Sequence, residues 1–370
     1  MKGGLSTGLV SLFVATLALV ACSSQGVDQG RPQAEPSPRA AADAFMHRTA
    51  LMRVQYQSAN RPAQLRDHLM AKDYDAVEAD LGSAEADFER DPSYEFAFYD
   101  VLHALASCDV VSPEMQTALE AWVEARPKSV WSHLILGRYY NYAGCKARGQ
   151  GWAQDVTDAQ WAEMGKYHAM SHAELDKAKE IDPKHLPIYT SLILLGRTDG
   201  DSAAMSEAYE AGRKLFPSSF NLPVGYMDGL QPRWEGSYEA MAAFADSLKT
   251  HTGENPRFWT LQGAAEADMG EIAFSNGDYR GALTHFKNAL KYGDESSWLT
   301  GAGDASAYLG DLGSTLEYYR RNRLYEIPLS EREASQERVL TAHCASDQEK
   351  CKTDPKDFPW FGEPELSESK

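Results

Sequence analysis

Gly277-Asp278-Tyr279, followed by Ala282-Leu283 and Phe286, returns 33 residues later as Gly310-Asp311-Leu312, Thr315-Leu316 and Tyr319. A second spacing lies upstream. The prolines of Asp182-Pro183 and Phe216-Pro217 stand 34 residues apart, the first behind Ala173, Leu175 and Ala178, the second behind Met205, Tyr209 and Gly212. The residue types explain the spacing: glycine allows a tight turn between two helices, small residues let the helices approach, an aromatic fills the groove, and proline stops the second helix. One such hairpin cannot bury its apolar face alone, so several must stack. Asp91-Pro92, Arg126-Pro127 and Asn255-Pro256 read as further unit ends, and Asn141 to Trp161 reads as an insertion within a unit. From Ala40 onward the chain is rich in Ala, Leu, Glu and aromatics with almost no alternating β-branched runs, which argues an all-α fold.

This pattern resembles the tetratricopeptide repeat, with its best unit from about Gly263 to Gly293, carrying Gly270, Ala273, Ala282, Phe286 and Ala289. The expected fold is therefore an all-α, tetratricopeptide-like array of helical hairpins, an α-solenoid. A second resemblance lies in the centre. Leu136-Gly137-Arg138-Tyr139-Tyr140, Ala147-Arg148-Gly149 and Leu230-Gln231-Pro232-Arg233-Trp234-Glu235-Gly236-Ser237 resemble a bacterial domain family of unknown function. That family is marked by an Ala-Arg-Gly turn and a Pro-Arg-Trp-Gly-Gly-Ser turn, and the resemblance runs from Ala40 to Pro256. Glu235 replaces one of the glycines, and the tryptophan expected ahead of Ala-Arg-Gly is missing. The resemblance implies a helical-repeat fold and brings no activity with it.

The first residues give an address. After Met1-Lys2, an uncharged stretch from Leu5 to Ala21 ends in Leu19-Val20-Ala21-Cys22. It has the length of a signal-peptide apolar region and is too short and too broken for a membrane span. Its end resembles the lipobox of bacterial lipoproteins, which implies cleavage before Cys22 and lipid on that thiol. Several acyl chains on one cysteine anchor stably. Residue 24 is Ser rather than Asp, which favours the outer membrane, with the protein facing the periplasm. Gly4-Leu5-Ser6-Thr7-Gly8 matches a hydrolase nucleophile elbow but lies inside the leader. The expected organisation is a leader over 1–21, a lipidated cysteine and flexible tether over 22–39, and a helical-repeat domain over 40–256. Tetratricopeptide-like repeats over 257–328 and a C-terminal helix with a loose tail over 329–370 complete it.

A formal net charge of −18 makes nucleic-acid binding a poor expectation, because an acidic surface repels phosphates. Cys108, Cys145, Cys344 and Cys351 remain besides Cys22. An even number in an exported chain suggests disulfides, with Cys108–Cys145 and Cys344–Cys351 the preferred pairing; a zinc site is the alternative, but no C-x-x-C occurs.

Candidate chemistry is sparse. His168 and His172 are four apart on a helix and Asp176 continues the face, a weak candidate metal set without the glutamate of a zinc protease. Arg148 and Arg233 each sit in a glycine-containing turn beside aromatics: Tyr139, Tyr140 and Trp152 for one, Trp234 and Tyr238 for the other. They can hold a carboxylate or peptide end, or brace their own loops. The acidic run Glu78, Asp80, Glu85, Asp87, Glu89 and Asp91 reads as a solvated helix face. Phe358, Trp360 and Phe361 in the tail read as packing residues. There is no phosphate loop or dinucleotide fingerprint, so no cofactor and no catalytic residue is expected. The leading expectation is a binding or scaffold protein whose groove takes an envelope protein or peptide. The alternatives are an envelope enzyme or small-molecule binder using an Arg/aromatic pocket, and a structural spacer.

Overall fold

The computed structural model describes residues 36–325, apart from Asn60, Gln150 and Trp152. Cys22, Cys344, Cys351, Phe358, Trp360 and Phe361 lie outside the described residues, as do the leader, most of the tether and the tail. The described residues belong to one compact unit that begins at Pro36, and they are all-α, with short 3-10 turns and no strand among them. No described helix is long and apolar enough to cross a membrane.

Behind a leading helix α1 (Pro38–Ser58), the described residues form fourteen further helices in seven consecutive pairs. They are α2 (Arg61–Met70) with α3 (Tyr74–Arg90), α4 (Glu95–His103) with α5 (Pro113–Ala125), and α6 (Val130–Arg148) with α7 (Asp158–Ile181). Next come α8 (Leu186–Asp199) with α9 (Ser202–Leu215) and α10 (Asn221–Gly229) with α11 (Tyr238–Leu248). The last two are α12 (Ala264–Ser275) with α13 (Tyr279–Ala289) and α14 (Ser296–Tyr308) with α15 (Leu312–Asn322). The second helix of one pair packs on the first helix of the next, as α5 does on α6 and α13 on α14. First helices also touch one another, α6 with α8, α8 with α10, and α12 with α14. That is the stacking of an α-solenoid.

Four of the hairpin turns are one device repeated. Lys72, Gly200, Gly277 and Gly310 each take a left-handed backbone at the helix end, with φ between 59° and 77°. The aspartate that follows does two jobs. Its N–H donates back to the carbonyl five residues earlier (His68, Gly196, Ala273 and Ser306), and its carboxylate accepts from the amide three residues on. The first bond closes the outgoing helix and the second caps the incoming one. The Gly-Asp pairs read in the sequence are thus a stop and a start, and Lys72-Asp73 is the same turn without its glycine.

The 33-residue offset is physical. A Cβ on Gly270 would lie 3.0 Å from the Phe286 ring, and one on Gly303 would lie 2.5 Å from the Tyr319 ring. Ala282, Phe286 and Ala289 are buried, as are Thr315, Leu316 and Tyr319. Four of the five prolines act as expected: α3, α5, α7 and α9 end two residues before Pro92, Pro127, Pro183 and Pro217. Pro256 does not, since α11 already ends at Leu248 and Pro256 opens a 3-10 turn capped by Asn255.

The stretch from Asn141 to Trp161 falls within one unit and lengthens its hairpin, since α6 runs on to Arg148 and α7 starts at Asp158. Two expectations need correction. The acidic run is not simply a solvated face. Glu85 is buried and its carboxylate lies 2.6 Å from His185 Nδ1 at the start of α8, while Glu78 accepts from Trp122 Nε1. Cys108 and Cys145 are free thiols, so the expected bond between them is not formed. The Cys145 sulfur lies 3.9 Å from Asn141 Oδ1, on the preceding turn of its own helix. Burial, and then the neighbouring Cys108, push the Cys145 thiol up.

Helix α1 does not belong to the stack. Pro38 opens it and the Ser37 hydroxyl caps it. Ala42, Met46, Thr49, Ala50 and Tyr56 form its buried face. It lies against α4 on one side and against the 3-10 turn Pro256–Gly263 on the other. Near its start, Arg39 reaches Asp294 at 2.9 Å, and Asp43 accepts from the Asp294 amide at 2.9 Å. It runs from the first two pairs, where Tyr56 donates to Asp87 of α3, to Asp294 in the loop before α14.

Candidate functional site

The first helices of the pairs turn their polar and aromatic residues to a common inner groove. One cavity of about 400 Å³ is lined from α4 (Phe96, Tyr99, Asp100, His103), α6 (Arg138, Tyr142), α8 (Thr190, Leu194, Arg197) and α10 (Asn221, Val224, Asp228). Arg53 of α1 supplies its facing wall. A second cavity of about 330 Å³ shares Phe96, Asn221, Val224 and Asp228 with the first and continues toward Met227, Met241, Leu261 and Ala264. The two are therefore neighbouring parts of one groove.

Its walls are held by charge pairs between helices. Arg53 makes two bonds of 2.9 Å to Asp100, and Arg197 donates to Asp228 at 3.0 Å. Deeper in, Glu95 is a hub. Its carboxylate accepts from Ser219 Oγ at 2.5 Å, from the Phe220 amide at 2.7 Å and from the Asn221 amide at 3.1 Å. These are donors at the start of α10, where a negative charge also suits the helix dipole. Burial pushes the Glu95 carboxyl up, against the pull of those three bonds. Next to it, Arg257 is bidentate to Glu295 and stacks between Phe96 and Phe220, 4.3 and 4.1 Å from their ring centres. His103 opens onto the cavity, yet the crowding of the groove, then the Arg138 and Arg53 charges, push it down to about 4. It is neutral at physiological pH.

Arg138 differs from its neighbours. It is 4% exposed, and no carboxylate among the described residues lies within ion-pair distance of it. Among the described residues its hydrogen bond runs from Nη1 to Ser191 Oγ at 3.3 Å, and Nε finds no acceptor there. The guanidinium lies 5.4 Å from the Tyr99 ring centre and 5.8 Å from that of Tyr142.

The residues singled out by sequence fall elsewhere. Arg148 donates to the carbonyls of Gly149 and Gly151, both at 3.1 Å, and lies over the Trp161 ring, so it braces the turn after α6. Arg233 pairs at 3.0 Å with Asp268 on α12, whose side chain is almost fully buried and also accepts from Tyr238. Trp234 is 38% exposed and carries the Arg197 guanidinium 5.5 Å from its ring centre. The Pro-Arg-Trp turn thus touches the groove indirectly, through Arg197 and Asp268, while Arg148 lines neither cavity. Glu235 takes φ 66°, the left-handed conformation that favours glycine. His168 and His172 are brought together, but by Asp199 of α8 rather than Asp176: its two oxygens lie 2.5 and 2.9 Å from their ring nitrogens. Burial opposes the charge of Asp199, and the two histidine hydrogen bonds outweigh it, holding the carboxyl below its usual range. The same bond raises the His172 pKa. Among the described residues no group of three or more His, Cys, Asp or Glu side chains is arranged to hold a metal ion, these three included.

With this geometry in place, the chain is an all-α array of helical hairpins. Residues 61–197, from α2 through α8, match the model of a domain of unknown function, DUF4034. The match includes Ala147-Arg148-Gly149 and ends before the Pro-Arg-Trp turn. No curated protein matches. Among solved structures the chain is similar to one in the crystal structure of the APC/C hetero-tetramer Cut9–Hcn1, at 16% identity and a TM-score of 0.35. That alignment covers 78% of this chain and 50% of the other, so this chain spans about half the length of that relative.

Proposed function

We propose that this protein is a lipid-tethered scaffold of the bacterial cell envelope that binds a partner protein or peptide in its inner groove. The observation that carries the reading is the groove itself. Two adjoining cavities share Phe96, Asn221, Val224 and Asp228 and together run along first helices from α4 to α12. Such a surface presents pockets in a row, which suits an extended peptide or a partner helix. The tether is supported by Leu19-Val20-Ala21-Cys22, and the outer membrane by Ser24.

A photo-crosslinking residue at Val224, which lines both cavities, tests the groove in living cells. Its control is the same residue at Lys287, exposed on α13. Crosslinks to one protein from position 224 and none from 287 are expected. Equal crosslinking from both positions, or none from 224, refutes the groove as the binding face. The tether has its own test: Cys22→Ser is expected to abolish incorporation of labelled fatty acid and release the chain to the soluble fraction. An envelope enzyme remains the second reading, favoured by the buried Arg138 in a cavity of ligand size.

A further inference from the structure

We propose that the cavity at Arg138 binds a single carboxylate group, carried by a small apolar acid or by the end of a peptide chain. This deepens the reading of the groove as the working face, and it assigns the chemistry that the groove recognises.

The case begins with an uncompensated charge. The cavity holds the guanidiniums of Arg53, Arg138 and Arg197 but only two carboxylates, Asp100 and Asp228. Those two serve Arg53 and Arg197, so the third guanidinium, and the most buried, is left over. A buried arginine without a counter-ion is costly, and proteins that keep one commonly use it. His103 cannot supply the missing negative charge, since it is neutral or cationic. The orphan donors point the same way. Arg138 Nε, Arg197 Nε and Asn221 Nδ2 are all buried without a hydrogen-bond acceptor, and all three residues line this cavity. Donors without acceptors call for a ligand group that only accepts.

The charge count also chooses the anion. One positive charge in excess suits a monoanion. A dianion such as phosphate would leave negative charge in a chain whose formal net charge is already −18. A planar carboxylate also matches the planar guanidinium fork. Phe96, Tyr99, Tyr142, Leu194 and Val224 outnumber the uncharged polar Thr190 and His103 on the remaining walls, so the rest of the ligand is mainly apolar. The volume of about 400 Å³ lies within the range of small-ligand sites. A peptide end has an additional route, because the adjoining cavity offers Met227, Met241 and Leu261 to the preceding side chains.

The test uses the full chain and equilibrium dialysis at millimolar ligand. The probes are 4-methylpentanoate and its amide, an acetylated Ala-Val-Ala-Leu-Leu peptide with a free C-terminal carboxylate and the same peptide amidated, and inorganic phosphate. Binding of an acid at least about tenfold tighter than its amide is expected, since the charge-assisted bonds are lost with the charge. Arg138→Gln should abolish the preference and Arg138→Lys should keep part of it, with far-UV circular dichroism confirming the fold. If Arg138→Gln does not fold, the acid-to-amide comparison on the unaltered protein and on Asn221→Ala decides. Preference for the pentanoate alone identifies a free small acid, and preference for the peptide acid alone identifies a chain end. Equal binding of acid and amide overturns the assignment, as does tighter binding of phosphate, an unaltered preference in folded Arg138→Gln, or no binding of either acid. Crosslinking from Val224 with no acid binding would leave the groove reading standing and remove only the carboxylate. Acid binding without any crosslinked partner would do the reverse.

Discussion

Glu95 should be among the most sensitive single side chains in the described unit. It ties α4 to the start of α10 across 124 to 126 residues of sequence, with three hydrogen bonds to its carboxylate in a fully buried setting. Hydrogen bonds to a charged group are each worth about 1.5–3 kcal/mol net, and a buried donor left alone costs about 1–3 kcal/mol. Arg257 is also attracted to the Glu95 charge but keeps its bidentate pair with Glu295 when Glu95 is removed. The loss in Glu95→Ala is therefore dominated by the three abandoned donors and a small cavity, and about 3–5 kcal/mol of destabilisation is expected. Glu95→Gln keeps the shape but sets an amide group against donors, at about 1–3 kcal/mol. Urea unfolding followed by circular dichroism reads both, with the order wild type, Gln, Ala. Hydrogen exchange of residues 219–229 should accelerate before that of α12 to α15. A loss under about 1 kcal/mol for Glu95→Ala would refute the view that this carboxylate holds the two halves of the array together.

Other substitutions test the turns and the close approaches. Lys72→Gly and Glu235→Gly should each raise the unfolding free energy read from urea titration by about 0.5–1 kcal/mol, because both residues hold a left-handed backbone that costs an L-residue about 1–2 kcal/mol; no gain at either site would contradict the turn geometry. Gly303→Ala should destabilise by about 1–3 kcal/mol, because its Cβ would meet the Tyr319 ring at 2.5 Å; a neutral result would mean that α14 and α15 sit further apart. The Asp199 bond raises the His172 pKa, so its contribution to stability is complete below about pH 6.5 and is lost as pH rises through the raised value. His172→Gln should flatten the fall in stability above pH 6.5, and an unchanged pH profile would remove this bond from the account. Arg233→Ala leaves the buried Asp268 without its cation and should lower stability by about 1–3 kcal/mol, so any loss of partner binding in that variant must be read beside its melting curve.

Much of the architecture was legible because its signals are local. A glycine followed by aspartate stops one helix and caps the next within nine residues, and a proline ends a helix two residues ahead of itself, so neither needs distant chain. The 33-residue offset was readable for a related reason: Gly270 and Phe286 lie on the two helices of one hairpin, and the same packing problem recurs at Gly303 and Tyr319. That the stretch beginning at Asn141 continues α6 was not legible, because Asn141 is held by burial against α8 through Ser191, fifty residues away.

The groove chemistry was not legible, and the reason is distance along the chain. Arg138 stood in a motif noted for its resemblance, yet nothing local reveals that no carboxylate reaches it. That depends on Asp100 being taken by Arg53 and Asp228 by Arg197, residues spread over more than a hundred positions. Arg148 and Arg233 stood out instead because glycine and tryptophan flank them, and flanking residues report on turns rather than cavities. Likewise Asp176 had the helical spacing for His168 and His172, but Asp199 arrives from the next helix. From sequence alone came the all-α hairpin array and its turn chemistry, because helix stops, caps and close approaches are set by neighbours in the chain. Which charges pair, and which one is left unpaired in the inner groove, was decided only by the tertiary structure, because pairing is set by distance in space among helices that the solenoid stacks.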